Sequence, residues 1–386
     1  MLPRPRLLLA LAVALLLASA GVAAPAQADT TTVSAYGVDA LKSEWLAGYN
    51  SADGLDVNGL FDLDLMGNNN LKLYRARFRQ DQVLSDDGTY SKWTMLDHLA
   101  KQAALRDVTL QAILINMPNE QYTPPTTDAA RTSFAEFAAA AAGRYGPNGT
   151  FWPGCACTPH LVKAWEVWNE ENIAPYWSPP DPSQYGALLS RVRTAVRTVD
   201  PTARILFGGL AYPSSDGSGT NAFLQQAIGA AGSNGFDALA VHLYDPDAAH
   251  GVNTLIKGTV ETLKTYAGTD SSGAPRQQVW LNEFGRPTLL ADKGRRGSST
   301  LKQQSDWLKS VLTNLLPQRG AWNLGPVSWY SLRDYKYATD SSADAWLRLG
   351  LRFTNADDTD GGPKPAWGDY TKRSRAAAPL PLPVPR

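Results

Sequence analysis

Short β-favouring runs alternate with longer segments of helical period along almost the whole chain. The runs typical of strands are residues 34–38, 71–79, 109–116, 164–169, 205–210, 238–244, 278–283 and 327–332. The segments typical of amphipathic helices include 93–106, 128–145, 182–199, 221–231, 254–266 and 299–316. Eight strands with helices between them predict a single-domain α/β fold, the closed (β/α)₈ TIM barrel. An open doubly wound sheet is the alternative, but it would need fewer strands.

Three of the predicted helices begin near a residue type that favours the N-cap position. These residues are Asp128, Asp181 and Ser299, whose side-chain oxygens can accept a hydrogen bond from the first free backbone N–H groups. We therefore predict that each of them caps its helix.

The first 28 residues have the pattern of a secretory signal peptide. Arg4 and Arg6 precede a Leu/Ala/Val run over residues 7–20, and Ala26-Gln27-Ala28 forms a small-x-small cleavage site. A membrane anchor is the alternative, but the run is short and no basic stop-transfer cluster follows it. We therefore expect a secreted, extracellular protein that has no membrane attachment once residues 1–28 are removed.

The remainder divides into a catalytic domain, residues 29–372, and a proline-rich tail, 373–386, that is expected to be extended or disordered. Without the two arginines of the signal, 34 basic residues face 36 acidic ones in the mature chain. This balance gives no electrostatic reason to expect nucleic acid as a partner. We expect a monomer.

Cys155 and Cys157 are the two cysteines of the chain, and both precede the fourth predicted strand. In an exported protein a disulfide is the default expectation, although a Cys-x-Cys ring is tight. Two thiols with His160 nearby fall short of a structural zinc site. We therefore predict a local disulfide and no metal.

Two Asn-Glu pairs contain the candidate catalytic residues. Asn169-Glu170 ends the fourth predicted strand and Asn282-Glu283 ends the seventh, each after an apolar run that contains tryptophan. The carboxyl ends of all barrel strands meet at one mouth, where the chemistry of this fold takes place. Two carboxylates there suit a retaining glycosidase, in which one protonates the leaving oxygen and the other attacks the anomeric carbon.

At these residues the chain resembles the clan A glycoside hydrolases, retaining enzymes built on (β/α)₈ barrels, with the closest likeness to families 39 and 5. The resemblance covers roughly residues 34–370. It implies that Glu170 is the acid/base, that Glu283 is the nucleophile and that Asn169 binds the sugar 2-hydroxyl. Glu166 and Glu171 are competitors for the acid/base role by sequence alone, but Glu166 lies deeper in the barrel and Glu171 has the opposite strand parity.

The resemblance also implies groups that support the nucleophile. Arg75, in the second predicted strand, matches the clan arginine that keeps the nucleophile ionised, and Arg77 has the same parity and is a rival. His242 and Tyr244 end the sixth strand as His-x-Tyr. Tyr244 is expected to donate to Glu283, and His242 to line the pocket.

Three further residues are candidates for substrate binding. Trp329 matches the clan tryptophan under the sugar, with Tyr330 as the alternative by parity. Asn116, at the end of the third strand, is a candidate contact, although a loop-capping role explains it equally well. Trp177 follows the acid/base and is expected to form an outer subsite.

Together these features predict a secreted retaining glycoside hydrolase that cleaves a polysaccharide or oligosaccharide. No cofactor is expected, because two carboxylates and water suffice for the reaction. A transglycosidase that uses the same site and a non-catalytic carbohydrate-binding barrel are the alternatives.

Overall fold

A closed barrel of eight parallel strands forms the centre of the molecule. The computed structural model describes residues 31–39, 57–288, 299–335, 345–357 and 359–386, so the predicted signal, 1–28, lies outside the described residues. Within that part of the chain the barrel strands follow the sequence order: β2 (Tyr36–Asp39), β3 (Leu73–Arg79), β4 (Thr109–Ile115), β5 (Ala164–Asn169), β6 (Arg204–Leu210), β7 (Ala238–Leu243), β8 (Gln278–Phe284) and β9 (Leu324–Tyr330). The last strand closes on the first, with Asp39 beside Tyr330. The predicted fold class is confirmed.

The barrel is surrounded by helices and by two small antiparallel ribbons. The helices are α1 (Val57–Asn68), α2 (Gln80–Val83), α3 (Thr94–Ala104), α4 (Asp128–Tyr145), α5 (Pro182–Val199), α6 (Ser218–Ala231), α7 (Ala248–His250), α8 (Lys257–Ala267), α9 (Leu301–Leu315) and α10 (Pro365–Ala376). The ribbons pair β1 (Thr32–Val33) with β12 (Leu380–Pro381), and β10 (Arg352–Thr354) with β11 (Asp360–Pro363). Among the described residues, no helix is both long enough and apolar enough to span a bilayer.

The helix caps agree with the sequence at one of three positions. Asp181 caps α5 by accepting from the N–H groups of Ser183 and Gln184. The other two caps are the neighbouring threonines, Thr127 for α4 and Thr300 for α9. The predictions of Asp128 and Ser299 as caps are therefore wrong by one residue. The reason is that the cap residue keeps extended backbone angles, and Thr127 and Thr300 have them.

Among the described residues the hydrophobic core has one large and two smaller parts, and successive strand residues contribute to different parts because they face opposite sides of the barrel wall. On β3, Tyr74, Ala76 and Phe78 belong to the large outer core between the strands and the helices. Leu73 points inward and belongs to a smaller cluster at the barrel floor, which also contains Ala164, Leu206, Ala238 and Trp280. Toward the opposite end the inward residues are mixed: the polar ones begin with Arg75, and Ile113, Ile115 and Met117 form a third, small apolar cluster.

The tail, which its composition predicts to be extended or disordered, is helical at its start and then includes a short strand. Residues 373–376 complete α10, and Leu380 and Pro381 pair with β1 across the barrel floor. Leu382 is buried in the floor cluster. The prolines of the tail have no backbone N–H group, but their carbonyl groups can still accept hydrogen bonds. The carbonyl of Pro383, for example, accepts from Arg204 Nε at 2.9 Å. Tertiary contacts thus order a segment that composition alone would leave free.

The two cysteines form the predicted local disulfide. Cys155 and Cys157 are bonded, with their Cα atoms 5.2 Å apart, in the loop before β5.

Candidate active site

Glu170 and Glu283 meet at the mouth of the barrel. Glu170 directly follows β5, and Glu283 is the second-last residue of β8; both are largely buried, with 9% and 7% exposure. One carboxylate oxygen of each residue and one ring nitrogen of His242 all lie within 4.8 Å of one another. The structure therefore brings together the two glutamates that the sequence singles out.

The backbone at the end of β5 is irregular, and this irregularity places Glu170. Trp168 and Glu170 have positive φ angles of 75° and 46°, which residues other than glycine rarely adopt. The N–H of Glu170 still donates to the carbonyl of Gly209 on β6 at 3.0 Å. The strand thus stays attached to its neighbour while its last side chains are redirected.

Arg75 contacts most of the polar residues of the site. Of the two arginines that the sequence offers as partners of Glu283, Arg75 is therefore the one we assign. Its Nη1 donates to Glu283 Oε1 at 2.5 Å and also to Asp39 Oδ2. Its Nε and Nη2 form a bidentate pair with Glu166, each bond 2.7 Å long, and Nη2 reaches Asn169 Oδ1 at 2.9 Å. Such charge-assisted pairing stabilises ionised carboxylates. The predicted contact between Arg75 and Glu283 is present in the structure.

Asp39 is a site residue that the sequence interpretation missed. It ends β2, is 2% exposed, and its carboxyl group hydrogen-bonds to Glu283. Burial raises the pKa of the Asp39 carboxyl to about 7; Arg75 opposes the rise and the Glu283 charge adds to it. An acidic residue at the carboxyl end of the first strand is the signal that could have found it.

Tyr244 and His242 take the positions that the His-x-Tyr pattern predicts. The Tyr244 hydroxyl donates to Glu283 Oε2 at 2.7 Å, so each carboxylate oxygen of Glu283 has its own donor. His242 Nδ1 lies 2.7 Å from Glu170 Oε1, and its Nε2 lies 3.5 Å from Glu283 Oε1. Burial acts to lower the pKa of His242, but the Glu283 and Glu170 carboxylates more than offset it, so the net shift is upward.

Two adjacent glycines on β6 make room on either side of the barrel wall. A Cβ atom on Gly209 would lie 1.9 Å from His242 Nε2, so any side chain there would displace the imidazole. A Cβ atom on Gly208 would lie 2.2 Å from Glu171 Oε2. Consecutive strand residues face opposite ways. His242 and Glu171 therefore lie on opposite sides of the wall.

The competing glutamates have other environments. Glu166 lies below the mouth, where its carboxylate accepts from Gln111 at 2.7 Å and from Asn282 at 2.8 Å in addition to Arg75. Glu171 is fully buried on the outer side, and burial raises its pKa well above the usual range for a glutamate. Neither residue can reach a substrate at the mouth, which leaves Glu170 as the acid/base candidate.

The predictions for two tryptophans are wrong. Trp177 is 1% exposed and packs edge-on against Trp168, with ring centroids 5.7 Å apart, so it belongs to the core and cannot form an outer subsite. Trp329 is completely buried; its indole N–H donates to the Leu349 carbonyl at 2.8 Å, and its ring packs on Phe284. The strand parity places Trp329 toward the helices rather than toward the mouth of the barrel.

Tyrosines occupy the mouth instead. Tyr330, the alternative by parity, is partly exposed and packs edge-on against Tyr244, with centroids 6.4 Å apart. Tyr122 and Tyr176 form a second edge-on pair, 4.7 Å apart. Burial raises the pKa of Tyr122, which the charges of Arg77 and Glu283 also influence. Sequence reasoning missed Tyr122 and Tyr176, because both lie in loops where no periodicity applies.

Asn116 directly follows β4 and is partly buried. Its carbonyl accepts from the N–H of Thr123 at 3.0 Å, which closes the loop after the strand. This bond fits the loop-capping role, and a sugar contact by the Asn116 side chain stays a prediction.

The cluster of Glu170, His242 and Glu283 has donor atoms close enough to hold a metal ion. Its chemistry suits a cation poorly, however. Arg75 already places a positive charge 2.5 Å from Glu283 Oε1, and a divalent ion would have to compete with it. Both carboxylates and the imidazole are instead engaged in hydrogen bonds within the protein.

Comparison with known proteins identifies similar folds. No protein-family model and no curated protein matches the sequence. Solved structures do match the fold. A family 39 glycoside hydrolase from Bacteroides cellulosilyticus WH2 superposes with a TM-score of 0.62 and 18% identity, covering 88% of this chain and 63% of that one. An exo-β-1,4-mannosidase from Opitutaceae bacterium strain TAV5 gives 0.62 and 18%, over 91% of this chain and 60% of that one.

A monomeric β-xylosidase from Caulobacter crescentus CB15 gives a TM-score of 0.58 at 15% identity, over 88% of this chain and 68% of that one. The chain thus spans somewhat less than two thirds of the length of the first two relatives. At these identities the likeness concerns the fold. The predicted resemblance to the clan A barrels, family 39 among them, is confirmed at that level.

Proposed function

We propose that this protein is a secreted retaining glycoside hydrolase with Glu283 as nucleophile and Glu170 as acid/base. The observation that carries the proposal is the approach of a Glu170 oxygen to within 4.8 Å of a Glu283 oxygen. Carboxyl groups of retaining glycosidases lie about 5–5.5 Å apart, whereas inverting enzymes need roughly 6.5–9.5 Å to admit a water molecule. The short separation supports double displacement.

In the first step a Glu283 oxygen attacks the anomeric carbon, and the glycosidic C–O bond breaks. The proton of Glu170 passes to the departing oxygen, which leaves as an alcohol. In the second step Glu170, now a carboxylate, takes a proton from water, and the resulting hydroxide displaces Glu283. The sugar therefore leaves with its original anomeric configuration.

The surrounding contacts support this division of roles. Arg75 and Tyr244 donate one hydrogen bond to each oxygen of Glu283, which favours its charged, nucleophilic form. Glu170 instead faces His242, which orients its carboxyl group. Asn169 is held by Arg75 at the mouth, beside both glutamates, where the resemblance assigns it to the sugar 2-hydroxyl.

Two alanine variants test the roles. Glu283→Ala should lose turnover on every glycoside, because no nucleophile remains. Glu170→Ala should retain the first step for aryl glycosides with good leaving groups, and azide should restore its turnover by giving a glycosyl azide of retained configuration. Failure of azide to rescue a folded Glu170→Ala protein would exclude the acid/base assignment.

The substrate is expected to be a carbohydrate, and a panel of aryl glycosides, oligosaccharides and polysaccharides would identify the sugar. Product ratios with and without an added sugar acceptor would separate hydrolysis from transglycosylation on the same site. Binding of a glycoside without any turnover by the wild type would favour the non-catalytic alternative.

Secretion is supported by the signal-like segment 1–28 and by the Cys155–Cys157 disulfide, which suits an oxidising compartment. Sequencing of the exported protein should give Asp29 as its first residue.

A further inference from the structure

A cavity of about 430 Å³ opens beside Glu170, between the loops that follow β5, β6 and β7. Its inner end is formed by Glu170, His242 and Tyr244, whereas Glu283 is not among its lining residues. The sugar that is attacked must contact Glu283, and the acid must reach the departing oxygen. The cavity therefore lies on the leaving-group side of the cleaved bond.

The walls of this cavity are mostly apolar. Ile173, Ala211, Pro213, Pro246 and Leu255 supply aliphatic surface. Its size falls in the range of pockets that enclose a small ligand, about 300–1,000 Å³. A preformed pocket with such walls favours an apolar occupant.

Several of the polar groups along the walls are already paired within the protein, whereas the buried Ser214 Oγ has no hydrogen-bond partner among the described residues. Both backbone groups of Ala211 bond to the Asn172 side chain, at 2.7 and 3.0 Å. The Tyr212 hydroxyl lies 3.0 Å from Thr259 Oγ1. Asp245 Oδ2 lies 2.6 Å from the ring nitrogen of His250. A second sugar would have several hydroxyl groups to satisfy, and these walls offer them few partners.

We propose that this cavity is the binding site for an apolar aglycone, so that the preferred substrates are glycosides of aryl or alkyl alcohols rather than chains of sugars. The inference rests on the proposed function for the direction in which the leaving group departs. It narrows the substrate class: the group cleaved from the sugar is apolar and compact enough to be enclosed by Ile173, Tyr212 and Leu255. The hydroxyl group of Ser215 is exposed and can serve only at the outer end.

The test compares two substrates that share the sugar found in the panel. One carries a cyclohexylmethyl aglycone and the other a second sugar in the same linkage. We expect a kcat/KM at least about tenfold higher for the cyclohexylmethyl glycoside, in line with the selectivity of a hydrophobic pocket. Equal or better cleavage of the disaccharide would overturn the inference and leave the proposed function intact.

Ile173→Ser tests the wall directly, because Ile173 is partly exposed and its loss should not prevent folding. This variant should lower kcat/KM for the cyclohexylmethyl glycoside about tenfold, while the value for the methyl glycoside of the same sugar stays within about twofold. Leu105→Ser, at an exposed position on another face, is the matched control. An equal loss for both substrates would refute the assignment.

If no glycoside is cleaved, the proposed function fails, but binding of an apolar alcohol to the cavity can still be measured. Titration calorimetry with free cyclohexylmethanol should show binding to the wild type and to Leu105→Ser, and weaker binding to Ile173→Ser. The absence of binding to the wild type would overturn the inference by itself.

Discussion

Replacing Asp39 with asparagine should make the stability of the protein less sensitive to pH. Asp39 is almost completely buried beside Arg75 and Glu283, and burial raises the pKa of its carboxyl to about 7 from the ordinary 3.8. The folded protein therefore holds this proton more tightly than the unfolded chain does. Stability is lost as the pH rises from the unfolded pKa through the folded one.

The size of the effect follows from the two pKa values. Between pH 5 and pH 8 the unfolded carboxyl is already ionised, and the folded one loses its proton near pH 7. Two pH units of differential proton binding correspond to about 2.7 kcal/mol, and the charges of Arg75 and Arg77 are already included in the folded pKa. Asparagine does not titrate, and its amide can still donate to Glu283.

Urea unfolding of the wild type and Asp39→Asn at pH 5 and pH 8 would measure this difference. The variant should gain stability relative to the wild type at the higher pH, by about 2–3 kcal/mol. His242 titrates in both proteins, so its contribution cancels. Asp87→Asn, at a fully exposed carboxyl, is the control. A gap between Asp39→Asn and the wild type that is the same at both pH values would refute the reasoning.

Three other changes have defined outcomes. Tyr244→Phe removes the donor to Glu283 Oε2; a hydrogen bond to a charged group is worth about 1.5–3 kcal/mol, so the acidic limb of the kcat/KM profile should rise by about one to two pH units. An unmoved limb would contradict this role. Arg75→Met leaves several buried carboxylates without their cation and should lower the free energy of unfolding by about 3–5 kcal/mol, as measured in urea. Deleting residues 380–386 exposes the barrel floor and removes buried Leu382, so the free energy of unfolding should fall by about 3 kcal/mol or more while KM stays unchanged. An unaltered unfolding midpoint would show that the tail is not part of the fold.

Much of the barrel could be predicted from the sequence because its strands and helices are long and strongly patterned. Helices α4 and α5 have the predicted bounds. The last barrel strand was less predictable: it begins at Leu324 rather than near residue 327. Gly325 and Pro326 favour a break, yet a Cβ atom on Gly325 would lie 2.4 Å from the Trp280 ring, so packing requires glycine there.

The site was predictable where one strand end fixed one residue, as for Glu170, Glu283 and Tyr244. It was not predictable where the orientation depends on pairing between strands. Strand parity favours Tyr330 and the clan match favours Trp329; because the register between β8 and β9 shifts twice, parity alone could not decide between them. Asp39 escaped notice because its role arises from Arg75 on the neighbouring strand.

Burial also reversed one expectation about loops. Trp177 follows the acid/base in sequence, and an aromatic residue there suggests a sugar platform. In the structure the ring fits between Trp168 and Tyr185, with centroids 5.7 and 5.9 Å away, and extends the outer core. A large aromatic side chain gains more from such burial than from exposure, and only the tertiary structure shows which environment it occupies.

The central claim, that Glu283 is the nucleophile of a retaining glycosidase, is tested most directly by trapping its covalent intermediate. A 2-deoxy-2-fluoro glycoside of the preferred sugar with a dinitrophenyl leaving group slows the second step, and mass spectrometry of the digested protein locates the attached sugar. We expect one fluorosugar per chain, on the peptide that contains Glu283, and none on Glu283→Gln. A sugar attached to Glu170 or to another residue, or turnover with inverted anomeric configuration and no adduct, would contradict it.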